Sequence, residues 1–127
     1  DSTLNYSDLE TQFLNAYYGA AAQYVKQYIN KINSTGGNYF YDSSDINPTV
    51  YTTTWVNDVK GYFTNAYNAV SGDGVITRRL NELSLFYRYL QIKLNYTGKD
   101  KTTFKDLCTQ LGIFYVDRDT TVEAFCK

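Results

Sequence analysis

The sequence predicts an all-α fold, a compact bundle of about four main helices with a short C-terminal helix tied by one disulfide. Apolar residues recur at steps of three and four along most of the chain, which is the spacing of a buried helix face. Glycine-containing breaks separate these periodic stretches. The chain has two cysteines, Cys108 and Cys126. Its 127 residues are a length typical of one domain, so we expect residues 1–127 to fold as a unit.

The first predicted helix spans residues 7–33. Ser7 and Glu10 have the spacing of a capping box, in which two side chains satisfy backbone amides at the start of a helix. Gly36 and Gly37 should end the helix. Small residues at positions 19–22 should let another helix pack closely. The stripe expected to face the core is Leu9, Phe13, Ala16 or Tyr17, Ala20, Tyr24, Tyr28 and Ile32.

Three further helices and a short tail follow. The second begins at Pro48 or Thr52 and ends near Ser71, and the fourth begins at Thr102 or Thr103 and ends at Gly112. The third, residues 75–95, has the most regular stripe and should lie at the centre of the bundle. That stripe is Ile76, Leu80, Leu83, Tyr87, Leu90 and Leu94.

The C-terminal region is predicted to form a short helix after a capping box at Thr120 and Glu123. The apolar run 113–116 before it is either an extended segment or a buried connection. In a secreted chain two cysteines pair by default, and a Cys108–Cys126 disulfide would fasten the tail to the fourth helix.

The composition argues against several classes of function. The net charge of −1, from 12 basic and 13 acidic residues, is unlike the basic excess of nucleic-acid-binding proteins. No apolar run approaches the roughly 20 residues of a membrane-spanning helix. The chain has no histidine, which excludes serine–histidine triads and histidine metal sites, and nucleotide-binding motifs are missing. We therefore expect no enzyme, no cofactor, no metal, no nucleic-acid partner and no membrane association.

Several observations favour a secreted, extracellular protein. The chain starts at Asp1 without a methionine, as a processed chain would. Asn5, Asn33 and Asn95 each begin an Asn-X-Ser/Thr sequon, the acceptor for N-linked glycans, and all three lie at predicted helix ends. They are candidate glycosylation sites.

A binding role is the function class that remains open, with a carrier role as the alternative. Fourteen tyrosines are unusual in a chain of this length, and tyrosine provides much contact area for few rotatable bonds. Candidate contact residues are Tyr39, Phe40 and Tyr41 in a loop, with Arg78, Arg79 and Arg88. The loop aromatics would otherwise pin the loop to the core, and the arginines would form a solvated face. A carrier would instead enclose a cavity lined by residues such as Ala20, Tyr24, Tyr87 and Phe114.

The whole chain resembles the small salivary proteins of anopheline mosquitoes, a family that includes anophensin and albicin. The resemblance rests on a helical chain of this length, a Tyr/Ala-rich first helix (NAYYGA at 15–20) and the Cys108–Cys126 end. It implies an inhibitor that binds a protein or protein complex of a host plasma cascade. Separately, we expect the chain to be a monomer. The albicin type binds the assembled convertase of the alternative complement pathway without acting as a protease, whereas the anophensin type blocks contact activation, the kallikrein–kinin system.

Overall fold

The computed structural model describes residues 6–35 and 48–127, and the prediction of an all-α fold is confirmed. Of these residues none belongs to a strand, apart from one isolated bridge pair. None of the helices there has the length and apolar character needed to cross a membrane. The helices are α1 (Tyr6–Tyr18), α2 (Ala22–Ser34), α3 (Thr53–Ala69), α4 (Gly74–Lys93), α5 (Lys101–Leu111) and α6 (Val122–Phe125).

The first predicted helix is divided into α1 and α2. Gly19 has a φ of +52°, in the left-handed region where a right-handed helix cannot continue, and Gly19–Ala21 forms a 3₁₀ turn. The side chains of Glu10 and Lys26 form an ion pair. A straight helix would separate two residues 16 positions apart by about 24 Å, so α2 folds back along α1. One continuous helix over 7–33 is therefore wrong.

Side-chain caps begin the later helices. Each cap accepts a hydrogen bond from a first-turn amide that has no partner inside the helix. The predicted caps Thr102 and Thr103 lie two and three residues after the observed cap of α5, and Thr120 lies one residue before that of α6. Ser7 lies inside α1. The observed caps are Thr52 for α3, Asp73 for α4, Asp100 for α5 and Thr121 for α6.

Left-handed residues end α4 and α5. Asn95 has a φ of 57°, and the next amide, that of Tyr96, donates to the carbonyl of Gln91 at 2.8 Å. Gly112 has a φ of 73° and takes the same role after α5. This pattern satisfies carbonyls that the helix leaves unpaired, and it favours glycine or asparagine at the left-handed position.

Consecutive helices run in opposite directions, which gives the bundle two ends. The upper end contains Gly19–Ala21, the 70–73 loop and Gly112, because Arg78 and Arg79 of α4 bond to carbonyls at the C-terminal ends of α5 and α1. The lower end contains Thr35, Thr52 and residues 94–100. There Lys31 pairs with Asp58 at 3.1 Å, and the Tyr96 hydroxyl donates to the Tyr51 carbonyl at 2.6 Å.

α4 lies between α1, α3 and α5, as its regular stripe predicts. The rings of Tyr28 and Tyr87 lie 5.0 and 5.3 Å from the ring of Phe63, which joins α2, α3 and α4 in one core. The aliphatic centre of that core consists of Val25, Ile32, Val56, Val59, Leu80 and Leu90.

α1 turns part of its expected core stripe outward. Leu14 and Tyr18 are its buried residues, whereas Leu9 and Phe13 are 51% and 60% exposed. Assigning Leu9 and Phe13 to the core is therefore wrong. Periodicity identifies residues that share a helix face, but it does not say which face turns inward.

The predicted Cys108–Cys126 disulfide is not formed. Both cysteines are free thiols, and they are not at disulfide distance. Burial, with a smaller contribution from Cys126, raises the pKa of the Cys108 thiol to about 11. Non-covalent contacts hold the tail: the Phe125 ring stacks on Tyr89 with centroids 4.9 Å apart.

Candidate binding surface

The 113–121 turn connects α5 to α6 and holds two aromatic residues in extended backbone. The amide of Val116 donates to the carbonyl of Thr120, and the amide of Val122 donates to that of Phe114, both at 2.9 Å. Tyr115 and Thr121 form the isolated antiparallel bridge between its two arms. The run at 113–116 is therefore extended, and its conformation is fixed by the opposite arm.

Asp117 braces the tip of this turn. Its Oδ1 accepts hydrogen bonds from the amides of Asp119 and Thr120, both at 2.9 Å. The Asp119 amide is the main cause of the lowered pKa of Asp117, and the bonds from Thr120 and the charge of Lys93 act in the same direction. The carboxylate therefore stays ionised at neutral pH and keeps the turn closed.

Phe114 and Tyr115 are displayed to solvent, with 66% and 60% of each residue exposed. Successive residues of extended backbone point to opposite sides, so the two side chains border different grooves. Phe114 borders a groove of about 270 Å³ with Lys105, Thr109, Ile113, Thr121, Val122 and Glu123. Tyr115 borders one of about 170 Å³ with Leu85, Tyr89, Phe104, Cys108, Ile113 and Val116.

The exposed pair stands on a packed base. Phe125 stacks on Tyr89 and lies 5.8 Å from the ring of Phe104, while Val122 and Cys108 are buried beneath the turn. Lys101 also donates to the carbonyl of Lys127 at 2.8 Å, which closes the end of the chain onto α5. A surface that is already ordered loses little conformational freedom on binding.

Two of the predicted contact residues, Arg78 and Arg79, are engaged inside the molecule. Arg78 Nη1 donates to the Gln110 carbonyl at 3.2 Å. Arg79 Nη1 donates to the Tyr17 carbonyl at 2.8 Å, and its guanidinium lies 4.0 Å from the centre of the Tyr17 ring. Both therefore stabilise the upper end, and a role in target contact stays a prediction.

Arg88 belongs to a polar cluster between α3 and α4. Its Nε donates to the hydroxyl of buried Ser84 at 2.9 Å, and Tyr67 donates to Asn81 at 2.7 Å beside it. The Arg88 guanidinium lies 5.1 Å from the Tyr87 ring; burial raises the pKa of Tyr87, and the Arg88 charge opposes that rise. Its present contacts are structural, and target contact by Arg88 also stays a prediction.

The remaining predicted site residues either lie apart from one another or fall outside the described residues. Tyr39, Phe40, Tyr41 and Asn5 lie outside the described residues, whereas Asn33, in the last turn of α2, and Asn95, just after α4, are exposed. The suggested carrier residues do not enclose a common cavity, because Ala20 and Phe114 are exposed, Tyr24 is half-buried and Tyr87 lies in the core.

Phe114 and Tyr115 were not predicted as a contact pair. The available signal was their position directly before Asp117-Arg118-Asp119, which is a composition typical of an exposed turn. Within residues 6–35 and 48–127 no three His, Cys, Asp or Glu side chains are grouped to hold a metal. The 113–121 turn therefore offers apolar contacts to a partner, with the charged side chains of Lys105 and Glu123 beside them.

Comparisons with protein-family models, with curated proteins and with solved structures find no match to this chain.

Proposed function

We propose that this chain is a secreted, non-catalytic inhibitor that binds a host plasma protein complex through its surface. The observation that carries the proposal is the exposed Phe114–Tyr115 pair on a braced turn. Aromatic anchors that are rigid before binding supply most of the free energy in many protein interfaces. Such an anchor requires exposed apolar area that a buried base holds in place.

The neighbouring grooves suit side chains of a protein partner. Volumes of about 170 and 270 Å³ are below the roughly 300–1,000 Å³ of pockets that take drug-sized ligands. The smaller groove is lined by apolar residues, and Lys105 and Glu123 stand at the larger one. A partner surface with one apolar side chain for each groove and polar groups around them fits this arrangement. At this turn, volumes of this size suit single side chains of a partner better than a larger ligand.

The proposed target follows from the resemblance to anopheline salivary proteins. It is the assembled convertase of the alternative complement pathway, with contact activation as the second candidate. Tyr39, Phe40, Tyr41, Arg78, Arg79 and Arg88 remain candidate contact residues. No catalytic step is part of the proposal.

The test compares two variants in plasma. Phe114→Ala/Tyr115→Ala removes the proposed anchors, and Phe13→Ala is the matched control because Phe13 is similarly exposed on α1. A hot-spot residue contributes about 2 kcal/mol, so we expect the double variant to need roughly 30-fold more protein for equal inhibition of the alternative pathway. The control should inhibit like the unmodified chain.

Circular dichroism would verify that both variants keep their helices. Equal inhibition by the double variant and the unmodified chain would remove the aromatic pair from the proposal. If the unmodified chain inhibits neither the alternative pathway nor contact activation, the proposed function is wrong.

A further inference from the structure

We propose that Asn33 and Asn95 both carry N-linked glycans and that the two glycans project from the lower end of the bundle, leaving its upper end bare. The proposal rests on the extracellular location that is part of the proposed function. It goes beyond that function because it assigns two modification sites and orients the molecule. Asn5, the third sequon, lies outside the described residues and is not part of it.

The up-and-down order of the helices brings the two sequons to one end. Asn33 is in the last turn of α2, and Asn95 follows the last turn of α4. Both helices end at the lower end, where the Lys31–Asp58 and Tyr96–Tyr51 contacts join their C-terminal parts to the start of α3. The 61 positions between the two asparagines in sequence therefore do not separate them along the bundle axis.

Both acceptor amides are accessible. Asn33 and Asn95 are exposed, and so is Thr97, the hydroxyl residue of the second sequon. Thr35, the hydroxyl residue of the first sequon, is half-buried and donates to the Ile32 carbonyl. The left-handed backbone of Asn95, with a φ of 57°, places this residue outside the helical turn that precedes it. A bulky, hydrated glycan at either position displaces none of the packed side chains of the core.

The modification is an ordinary group transfer. A bond forms between the asparagine Nδ2 and the anomeric carbon of an oligosaccharide, and the bond from that carbon to a lipid-linked diphosphate breaks. The amide loses one proton, which the departing diphosphate takes up. The co-reactant is thus a lipid-diphosphate oligosaccharide, the donor class used in secretory compartments.

Among the residues that the structure describes, the upper end has no comparable acceptor. Apart from Asn5, the chain has no other complete sequon, since Asn47 is followed by proline. Val75, which is 62% exposed, and Ser71 stand in the open at that end. A protein partner that approaches from there meets bare protein surface.

Occupancy is tested by secreting the full chain from insect cells behind a heterologous signal peptide. A glycan-removing amidase leaves aspartate at each modified site, so peptide mapping reads each position separately. We expect Asn33→Gln and Thr97→Ala each to abolish one modification and leave the other. Thr97→Ala is preferred to a change at Asn95, since glutamine is strained at positive φ. An unmodified Asn33 or Asn95 in the unaltered chain would overturn the proposal.

Orientation is tested with a mannose-binding lectin and two single variants, Thr53→Cys at the lower end and Ser71→Cys at the upper end, both at exposed positions. Bound lectin should slow alkylation of the thiol at position 53 and leave that at position 71 unchanged. Equal protection, or stronger protection at 71, would refute a glycan-bearing lower end. Neither measurement depends on plasma activity, so loss of the proposed inhibitor function would leave these results standing.

Discussion

Arg78 and Arg79 are adjacent in sequence and close the carbonyl ends of two different helices. Arg78 bonds to the last turn of α5, and Arg79 bonds to the end of α1 and stacks on Tyr17. A cation at a helix C-terminus is favourable because unpaired carbonyls there carry partial negative charge. Lysine would keep the charge but lose the planar stacking on Tyr17. These two residues therefore connect α4 to α5 and to α1.

The two thiols should react at different rates. Cys108 is buried and its pKa is raised to about 11, so very little thiolate exists at pH 8, and thiolate is the reactive form. Burial raises the pKa of Cys126 as well, while the charges of Lys105 and Lys101 oppose that rise. We expect iodoacetamide to alkylate Cys126 first, and the rate at Cys108 to increase as pH rises toward 11. Peptide mapping after timed alkylation measures both rates.

Denatured protein serves as the control for this measurement. Both thiols should then react alike, with a pH dependence near the ordinary cysteine pKa. Failure to alkylate either cysteine even in denaturant would mean that they are joined in a disulfide after all.

The helices were predictable where a regular apolar stripe is clear. α4 and α5 have such stripes, and the sequence predicts their bounds to within two residues, although their caps, Asp73 and Asp100, were not predicted. The break at Gly19 was not predictable, because one glycine within an alanine-rich run is compatible with a continuous helix. The structure shows only why glycine suits this position: its φ is positive, and a Cβ there would lie 3.1 Å from Cδ1 of Ile76. The close approach expected at positions 19–22 thus occurs at a turn.

Two glycine-to-alanine substitutions separate the requirement for glycine at the Gly19 turn from the general preference of a helix for alanine. Gly19→Ala places a side chain at positive φ and against Ile76, and should reduce the free energy of unfolding by about 1–2 kcal/mol. Gly61→Ala is the matched control in the middle of α3, where a Cβ meets nothing within 4 Å. It should stabilise the protein by about 0.5–1 kcal/mol, because alanine favours a helix. Urea unfolding measures both, and stabilisation by Gly19→Ala would contradict the divided helix.

The candidate site was less predictable than the helices. Leu9 and Phe13 were assigned to the core and are exposed, while Phe114 and Tyr115 stand in a run that reads equally well as buried. Both errors have the same physical origin, since local sequence does not specify which neighbour covers an apolar side chain. The sequence could predict only that Asp117 lies in a turn. Its effect on Phe114 and Tyr115 depends on the pairing of the two arms of that turn, which the structure shows.

At the scale of the whole molecule, the described residues share one hydrophobic core. Trp55, the single tryptophan, is 5% exposed and packs edge-on against Tyr51, whose ring centre is 4.9 Å away. Its fluorescence therefore reports tertiary packing, whereas circular dichroism reports helix content. For a single cooperative core we expect the two urea transitions to coincide. A helix transition at clearly higher urea than the fluorescence transition would contradict one cooperative unit.

The order of the helices also has a consequence for how the chain is made. α1 packs on α2, α2 on α3, α3 on α4 and α4 on α5, so each helix finds a partner in the segment synthesised just before it. Contacts between segments that are close in sequence need little loop-closure entropy. The bundle can therefore be built in the direction of translation, with the 113–121 turn and α6 added after α5 onto a surface that α4 and α5 have already completed.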